Sequence, residues 1–271
     1  MRTETVTSAQ NAKVKNLLLL QEKSKARREQ NLFVVEGRRE LEHCLAAGYK
    51  VHTLFVCKEF LPSWEDLAQK AGDCPVILLS PALYRKVAYR EGTEGIIAEA
   101  VVRNHTLESL ELPENPLLVV LESVEKPGNL GAVLRSADAA GADAVLLCDP
   151  LTDLYNPNLI RASIGAVFTV PTVAVSSQEA IAFLRQRGIR ILTAQLQDST
   201  PYYDTDMTGG TALVMGTEST GLTPPWRKAA DAHIRIPMLG RLDSLNVSVS
   251  AAVLLFEAVR QRNPLGRGIS R

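Results

Sequence analysis

The chain has 271 residues, enough for one large domain or two small ones with a sizeable core. Thirty Lys/Arg balance thirty Asp/Glu, and the apolar (46%) and charged (22%) fractions are those of a soluble globular protein. Apolar runs fall far short of a membrane span, and the opening MRTETVTSAQNAKVK lacks the apolar stretch of a secretory signal.

The neutral total hides an asymmetry. Residues 1–58 hold eleven Lys/Arg against six Asp/Glu, and the rest of the chain carries the matching negative excess. A basic N-terminal region on a neutral protein suits local phosphate contact. The run Lys23–Arg28 taken alone reads almost as well as a solvated helix face. Cys44, Cys57, Cys74 and Cys148 are scattered, which favours free thiols in a reducing cytoplasm over disulfides or a zinc site. His43, His52, His105 and His233 form no pair at metal-ligand spacing, so no metal is expected.

Residues 8–29 read as a helix with a basic end, and Leu32–Val35 as a strand. Glu36-Gly37-Arg38-Arg39 then leads into a helix that stops at Gly48. Strands at Val51–Cys57, Val76–Leu79 and Gly95–Val102 alternate with helices at Trp64–Ala71 and Pro81–Val87. This is a small α/β domain over residues 1–104. Its turn at Arg38 and Arg39 puts two guanidiniums at a strand-to-helix junction, where phosphate is often held. Two solvated arginines on a first helical turn account for the pair equally well.

Residues 105–116 (HTLESLELPENP) are acidic and proline-marked and read as a linker. Over 117–271 a second series follows, with strands at Leu117–Leu121, Ala144–Cys148, Ile189–Ala194 and Thr211–Met215. Helices fall at Leu130–Ala140, Asn158–Ser163, Gln178–Gln186 and Asn246–Arg262, and an apolar run at Phe168–Val175 is broken by Pro171. Near-continuous apolar strands between helices imply an α/β fold on a mostly parallel sheet covered on both faces.

There is no GxxxxGK[ST] and no GxGxxG after a strand, which weakens the cases for an NTPase and for a dinucleotide enzyme. Three other segments each follow a strand. The first runs Asn129-Leu-Gly131-Ala-Val-Leu-Arg135. Asn129 is placed to cap the helix, Leu130, Val133, Leu134, Ala137 and Gly141 share its inner face, and Arg135 lies off that face. The arginine can lie over Gly131 toward Asn129, at the carboxyl end of a strand, where open α/β sheets bind ligands. The second is Met215-Gly216-Thr217-Glu218-Ser-Thr-Gly221-Leu. The third, Ile236–Ala252, is a glycine-containing loop opening into a helix of small residues whose N-terminal N–H groups suit a closely approaching ligand. Each segment alone reads equally as a capped helix or a glycine-rich turn.

As a set, in this order, they closely resemble the SpoU (TrmH) family of SPOUT methyltransferases over essentially the whole second domain. Asn156–Ala166, with Phe168 and Pro171, looks like a fourth stretch of that family. FVVEGRRELEHCL (33–45) resembles the substrate-binding domain of its ribosomal-RNA members. The resemblance implies S-adenosylmethionine as methyl donor and a ribose 2′-hydroxyl of RNA, most of all 23S ribosomal RNA, as acceptor. It implies a trefoil knot, which general topology rules disfavour, and a homodimer through the C-terminal domain. Catalytic roles carry over to Asn129, Arg135, Glu218 and Asn246. Cofactor binding carries over to Gly216, Thr217, Ile236, Met238, Leu245 and Ser248, and RNA contact is assigned to Arg38 and Arg39. A transfer-RNA methyltransferase and a catalytically silent RNA-binding or assembly protein on the same fold are the alternatives.

Overall fold

The computed structural model describes residues 2–89, 94–217 and 220–263. In chain order its first elements are β1 (Thr3–Val6), α1 (Ala12–Glu22), α2 (Ser24–Gln30), β2 (Leu32–Glu36), α3 (Arg38–Ala46) and β3 (Val51–Val56). Next come α4 (Trp64–Ala71), β4 (Val76–Leu79), α5 (Pro81–Val87), β5 (Ile96–Val101), β6 (Leu117–Glu122), α6 (Pro127–Ala140) and β7 (Ala144–Cys148). Then follow α7 (Pro157–Ser163), α8 (Ala166–Thr169), β8 (Thr172–Val175), α9 (Ser177–Gln186), β9 (Arg190–Ala194) and β10 (Thr200–Pro201). The chain continues with β11 (Thr211–Met215), α10 (Pro224–Ala229), β12 (Ala232–Arg235) and α11 (Val247–Arg262).

Two units form. One joins Met1–Arg103 to Asp153–Thr169, and the other joins Asn104–Thr152 to Val170–Arg271. The sheet of the first runs β1-β4-β3-β5-β2; β1, β4 and β3 are parallel, and β5 is antiparallel to both β3 and β2. One face is closed by Val14, Leu17 and Leu20 of α1 and by Leu83, Tyr84 and Val87 of α5.

The helix expected over 8–29 is two helices meeting at Lys23. Asn11 caps α1 by accepting from the Lys13 N–H. At the other end the Arg27 side chain folds back, and its Nη1 donates to the carbonyls of Leu20 and Gln21, which the end of a helix leaves without partners. Arg27 Nε also donates to Asp153 Oδ2 at 2.7 Å. At 3% exposure this member of the basic run is neither a phosphate contact nor a solvated charge.

Asp153–Thr169, read from sequence as part of the second domain, is held in the first unit. Tyr155 stacks on Phe33 with ring centroids 4.3 Å apart, and Phe168 packs edge-on to Tyr49 at 5.1 Å. The Tyr155 hydroxyl donates to the Arg103 carbonyl. Ile164 takes a left-handed conformation (φ 55°) between α7 and α8, and Gly165 (φ +83°) lies against His43 and Glu40 of α3. A β-branched residue adopts that conformation only under tertiary constraint.

The second unit holds a wholly parallel seven-stranded sheet in the order β10-β12-β9-β11-β6-β7-β8. Alternate residues pack on opposite faces. Leu118, Val120, Leu146, Ile191 and Val214 meet Phe183 and Leu184 of α9 and Trp226 of α10. Val119, Leu121, Val145 and Leu213 are equally buried on the other parity, where α6 packs on β7, α11 on β11, and the two helices on each other. The stretch expected as a linker is drawn into this core through Leu107 and Leu110. All four cysteines are buried free thiols, and burial pushes the Cys44 thiol up to about 12. No described helix is long and apolar enough to cross a membrane.

Candidate active site

Strand order reverses between β6 and β11. β7 and β8 lie outward on one side of β6, and β9 and β12 lie beyond β11 on the other. Loops after the carboxyl ends of β9, β11 and β12 enclose a cavity of about 730 Å³, the position at which open parallel sheets take ligands.

The β11 loop makes one wall. Gly221, at φ +66°, donates its N–H to the Thr217 carbonyl at 3.0 Å. Thr217 Oγ1 also accepts from the Thr220 N–H at 3.1 Å. The turn is so tight that a Cβ on Gly216 would lie 2.3 Å from the Gly221 carbonyl oxygen. Ile236, Met238 and Leu245 line the opposite wall, together with Val247 and Leu254 of α11. Of the residues expected to bind cofactor, Gly216, Thr217, Ile236, Met238 and Leu245 border this space, and Ser248 does not. Ser248 instead donates its N–H (3.0 Å) and hydroxyl (2.6 Å) to Asn246 Oδ1, which makes Asn246 the N-cap of α11.

Asn246 borders the cavity and reaches across to α6, where its Nδ2 donates to Asn129 Oδ1 at 3.1 Å. Residues 117 positions apart in the chain thus form one carboxamide pair. Asn129 does not cap its helix, because α6 begins earlier, at Pro127, and Lys126 occupies the cap position. A proline preset for the first turn extends the helix back past the asparagine. The buried face of α6 carries Leu130, Val133, Leu134 and Ala137 as expected, and Gly131 joins it; Gly141, expected on the same face, is instead the exposed left-handed residue that ends the helix. Arg135 is exposed and has no ion-pair partner among the described residues. Glu218 lies outside the described residues.

Sequence reasoning missed the third wall, Ala194–Gln197 after β9, and Arg227 on α10. Both follow features with no distinguishing residue pattern. Gln195, Gln197, Arg227, Arg235 and Asp243 add polar and charged groups to a lining that also holds Met215, Ile234, Ile236 and Leu254. Among the described residues no group of His, Cys, Asp and Glu is arranged to hold a metal ion. The Cys148 thiol at the end of β7 is pushed up by burial and by the neighbouring Asp149 and Glu122 carboxylates, so it stays neutral.

In the first unit Arg38 and Arg39 are both exposed. The helix N-terminus beside them is taken by a carboxylate of the protein itself: Glu94 Oε2 accepts from the Arg38 N–H at 2.7 Å. Arg38 Nε in turn donates to Glu42 at 3.1 Å.

Comparison with known proteins places these features. Residues 116–256 match the SpoU rRNA Methylase family, and residues 11–98 match the MRM3-like substrate binding domain. The chain is 32% identical to the 23S rRNA (guanosine(2553)-2′-O)-methyltransferase RlmP of Bacillus subtilis, over 93% of this chain and 97% of that one. It is 37% identical to the 23S rRNA (guanosine-2′-O-)-methyltransferase RlmB of Ralstonia nicotianae, over 72% of this chain and 81% of the relative. The crystal structure of an AdoMet-bound rRNA methyltransferase from Sinorhizobium meliloti superposes with a TM-score of 0.88 at 31% identity, covering 95% of this chain and 98% of that one. The chain belongs to the SpoU rRNA methylase family.

Proposed function

We propose that the protein transfers the methyl group of S-adenosylmethionine to a ribose 2′-hydroxyl of 23S ribosomal RNA. The observation that carries the reading is the cavity at the carboxyl ends of β9, β11 and β12, bordered by Asn246, whose carboxamide is bonded to Asn129 of α6. Its volume of about 730 Å³ falls within the range of sites for cofactor-sized molecules. Ile236, Met238, Leu245 and Leu254 offer apolar surface to a nucleoside base, and the tight turn that Gly216 permits shapes the wall facing them. Thr217 belongs to this wall, and Ser248 acts through Asn246.

When bound, the cofactor supplies a methyl group activated on a sulfonium. The chain's own residues then position the attacking oxygen, and alignment accounts for much of the rate of such a transfer. Asn129 and Asn246 are carboxamides that do not titrate near neutral pH, so their role is to orient by hydrogen bonds. Arg135, exposed on α6, anchors a phosphate beside the target ribose. A guanidinium holds its proton too tightly to serve as a good general base. Glu218, two residues after Gly216 in the chain, is assigned the same orienting role. In the first unit Arg39 and the basic N-terminal stretch contact RNA, and Arg38 joins them by exchanging Glu42 for a phosphate. Sequence-specific readers of RNA favour single-stranded, splayed bases, and we assign such a loop to this unit.

The assembly we propose is a homodimer through the second unit, working in the cytoplasm. Val249 and Phe256, seven residues apart on one face of α11, are 47% and 49% exposed, and Leu239 and Leu242 of the preceding loop are exposed as well. An exposed apolar stripe of that kind suits a second copy of the chain. A trefoil knot in the C-terminal path is part of the same reading, supported by the family match.

The test is transfer of labelled methyl from S-adenosylmethionine to unmodified 23S ribosomal RNA and, separately, to transfer RNA. Label in ribosomal RNA should appear in alkali-resistant dinucleotides and be lost in Arg135→Ala. Near-full turnover in Arg135→Lys would refute bidentate anchoring. Label in transfer RNA alone would overturn the substrate, and absence of both transfer and cofactor binding would overturn the enzyme.

A further inference from the structure

Glu122 closes β6 and is 3% exposed, yet it touches none of the cavity space. Its carboxylate takes two donors from Thr223 and lies near a third hydroxyl. The Thr223 N–H donates to Oε2 at 2.9 Å, the Thr223 hydroxyl donates to Oε1 at 2.6 Å, and Ser177 Oγ lies 3.3 Å from Oε1. Ser177 is itself fixed, donating to Asp149 Oδ2 at 2.6 Å and accepting from Trp226 Nε1 at 2.9 Å. Trp226 is fully buried. Thr223 directly follows Thr220, Gly221 and Leu222, which form the cavity wall after β11. One end of that wall is set by Gly216 packed on the Gly221–Leu222 backbone. The other end is set by this carboxylate, on the strand that neighbours β11.

We infer that Glu122 is a positioning residue for the cofactor, holding Thr223 and through it the wall formed by Thr220, Gly221 and Leu222 at the spacing the ligand needs. The inference rests on the function proposed above. The carboxylate form is required because both oxygens accept; an amide would turn an N–H₂ toward a donor and leave a buried group unpaired. The Thr223 hydroxyl carries the shorter of the two bonds to this residue.

The experiment compares Glu122→Gln, Thr223→Val and Thr223→Ser with the unaltered protein. S-adenosylmethionine binding is measured by calorimetry, thermal unfolding without ligand is recorded, and KM is determined for each substrate. Glu122→Gln and Thr223→Val should weaken cofactor binding by about tenfold, as loss of one hydrogen bond to a charged group would. Thr223→Ser, which keeps the hydroxyl, should restore wild-type affinity, and KM for RNA should not move. Wild-type affinity in Glu122→Gln and Thr223→Val, even with lowered melting temperature, overturns the inference and leaves a purely structural bond. An equal loss in Thr223→Ser overturns it too. Should Glu122→Gln fail to fold, the exposed Thr223 pair decides alone. If the unaltered protein does not bind S-adenosylmethionine, the proposed function fails instead, which is a separate outcome.

Discussion

Gly216 shows how one residue type follows from one close approach. A methyl group there would sit 2.3 Å from the Gly221 oxygen and 2.4 Å from its carbonyl carbon, both backbone atoms that cannot swing aside. Gly216→Ala must therefore open the turn. We expect a loss of about 1–3 kcal/mol in stability, as for overpacking elsewhere, and cofactor binding reduced beyond detection by calorimetry. Wild-type binding in that variant would mean the loop is not the cofactor wall. Asn246 illustrates a residue with two duties, since the same side chain caps α11 and bonds to Asn129. The cap was readable from Asn-Val-Ser at a helix start. The bond to Asn129 was not, because nothing in the sequence relates positions 117 residues apart.

At the scale of elements, α11 is fastened at both ends. Asn246 caps its start, and Arg262 near its end donates to the carbonyls of Asn115, Pro116, Met207 and Gly209. Burial of that guanidinium lowers its pKa below the ordinary arginine value, against the opposing charge of Asp143. In the first unit β5 carries a buried carboxyl, Glu99, at 3% exposure. Burial raises its pKa above the ordinary 4.5, against the opposing hydrogen bond from Asn16 and the charge of His52. A raised carboxyl pKa means that the folded chain holds the proton more tightly than the unfolded chain. Its contribution is complete below the ordinary value and is lost as pH rises through the raised one. Glu99→Gln should therefore flatten the stability curve above about pH 4.5 and match or exceed the wild type at neutral pH. Urea unfolding across that range checks this; parallel curves for the two proteins would reject it.

For the whole molecule, the exposed stripe on α11 makes a statement about assembly. Phe256→Glu alters a residue already 49% exposed, so the fold should survive. Sedimentation should give a dimer for the wild type and a monomer for the variant. A wild type that stays monomeric at all concentrations would remove the homodimer from the proposal. Division of labour between the units also belongs to this scale. The first 58 residues hold the positive excess, yet Arg27 is spent on helix ends and Asp153, and Arg38 partly on Glu42. The charge available for RNA is thus smaller than a count of basic residues suggests.

The parallel sheet, its apolar strands and the three strand-end segments could be read from residues 117–262, because buried parallel strands are apolar along their whole length and glycine, asparagine and small residues mark close backbone approach. These are local properties, set by neighbours a few positions away. Tertiary structure alone decided which segments met. It drew Asp153–Thr169 into the first unit through Tyr155 and Phe168, broke the first helix at Lys23 around Arg27, and placed Ala194–Gln197 and Arg227 beside the cavity. Each of those outcomes depends on a partner distant in the chain, and a sequence pattern carries no record of it.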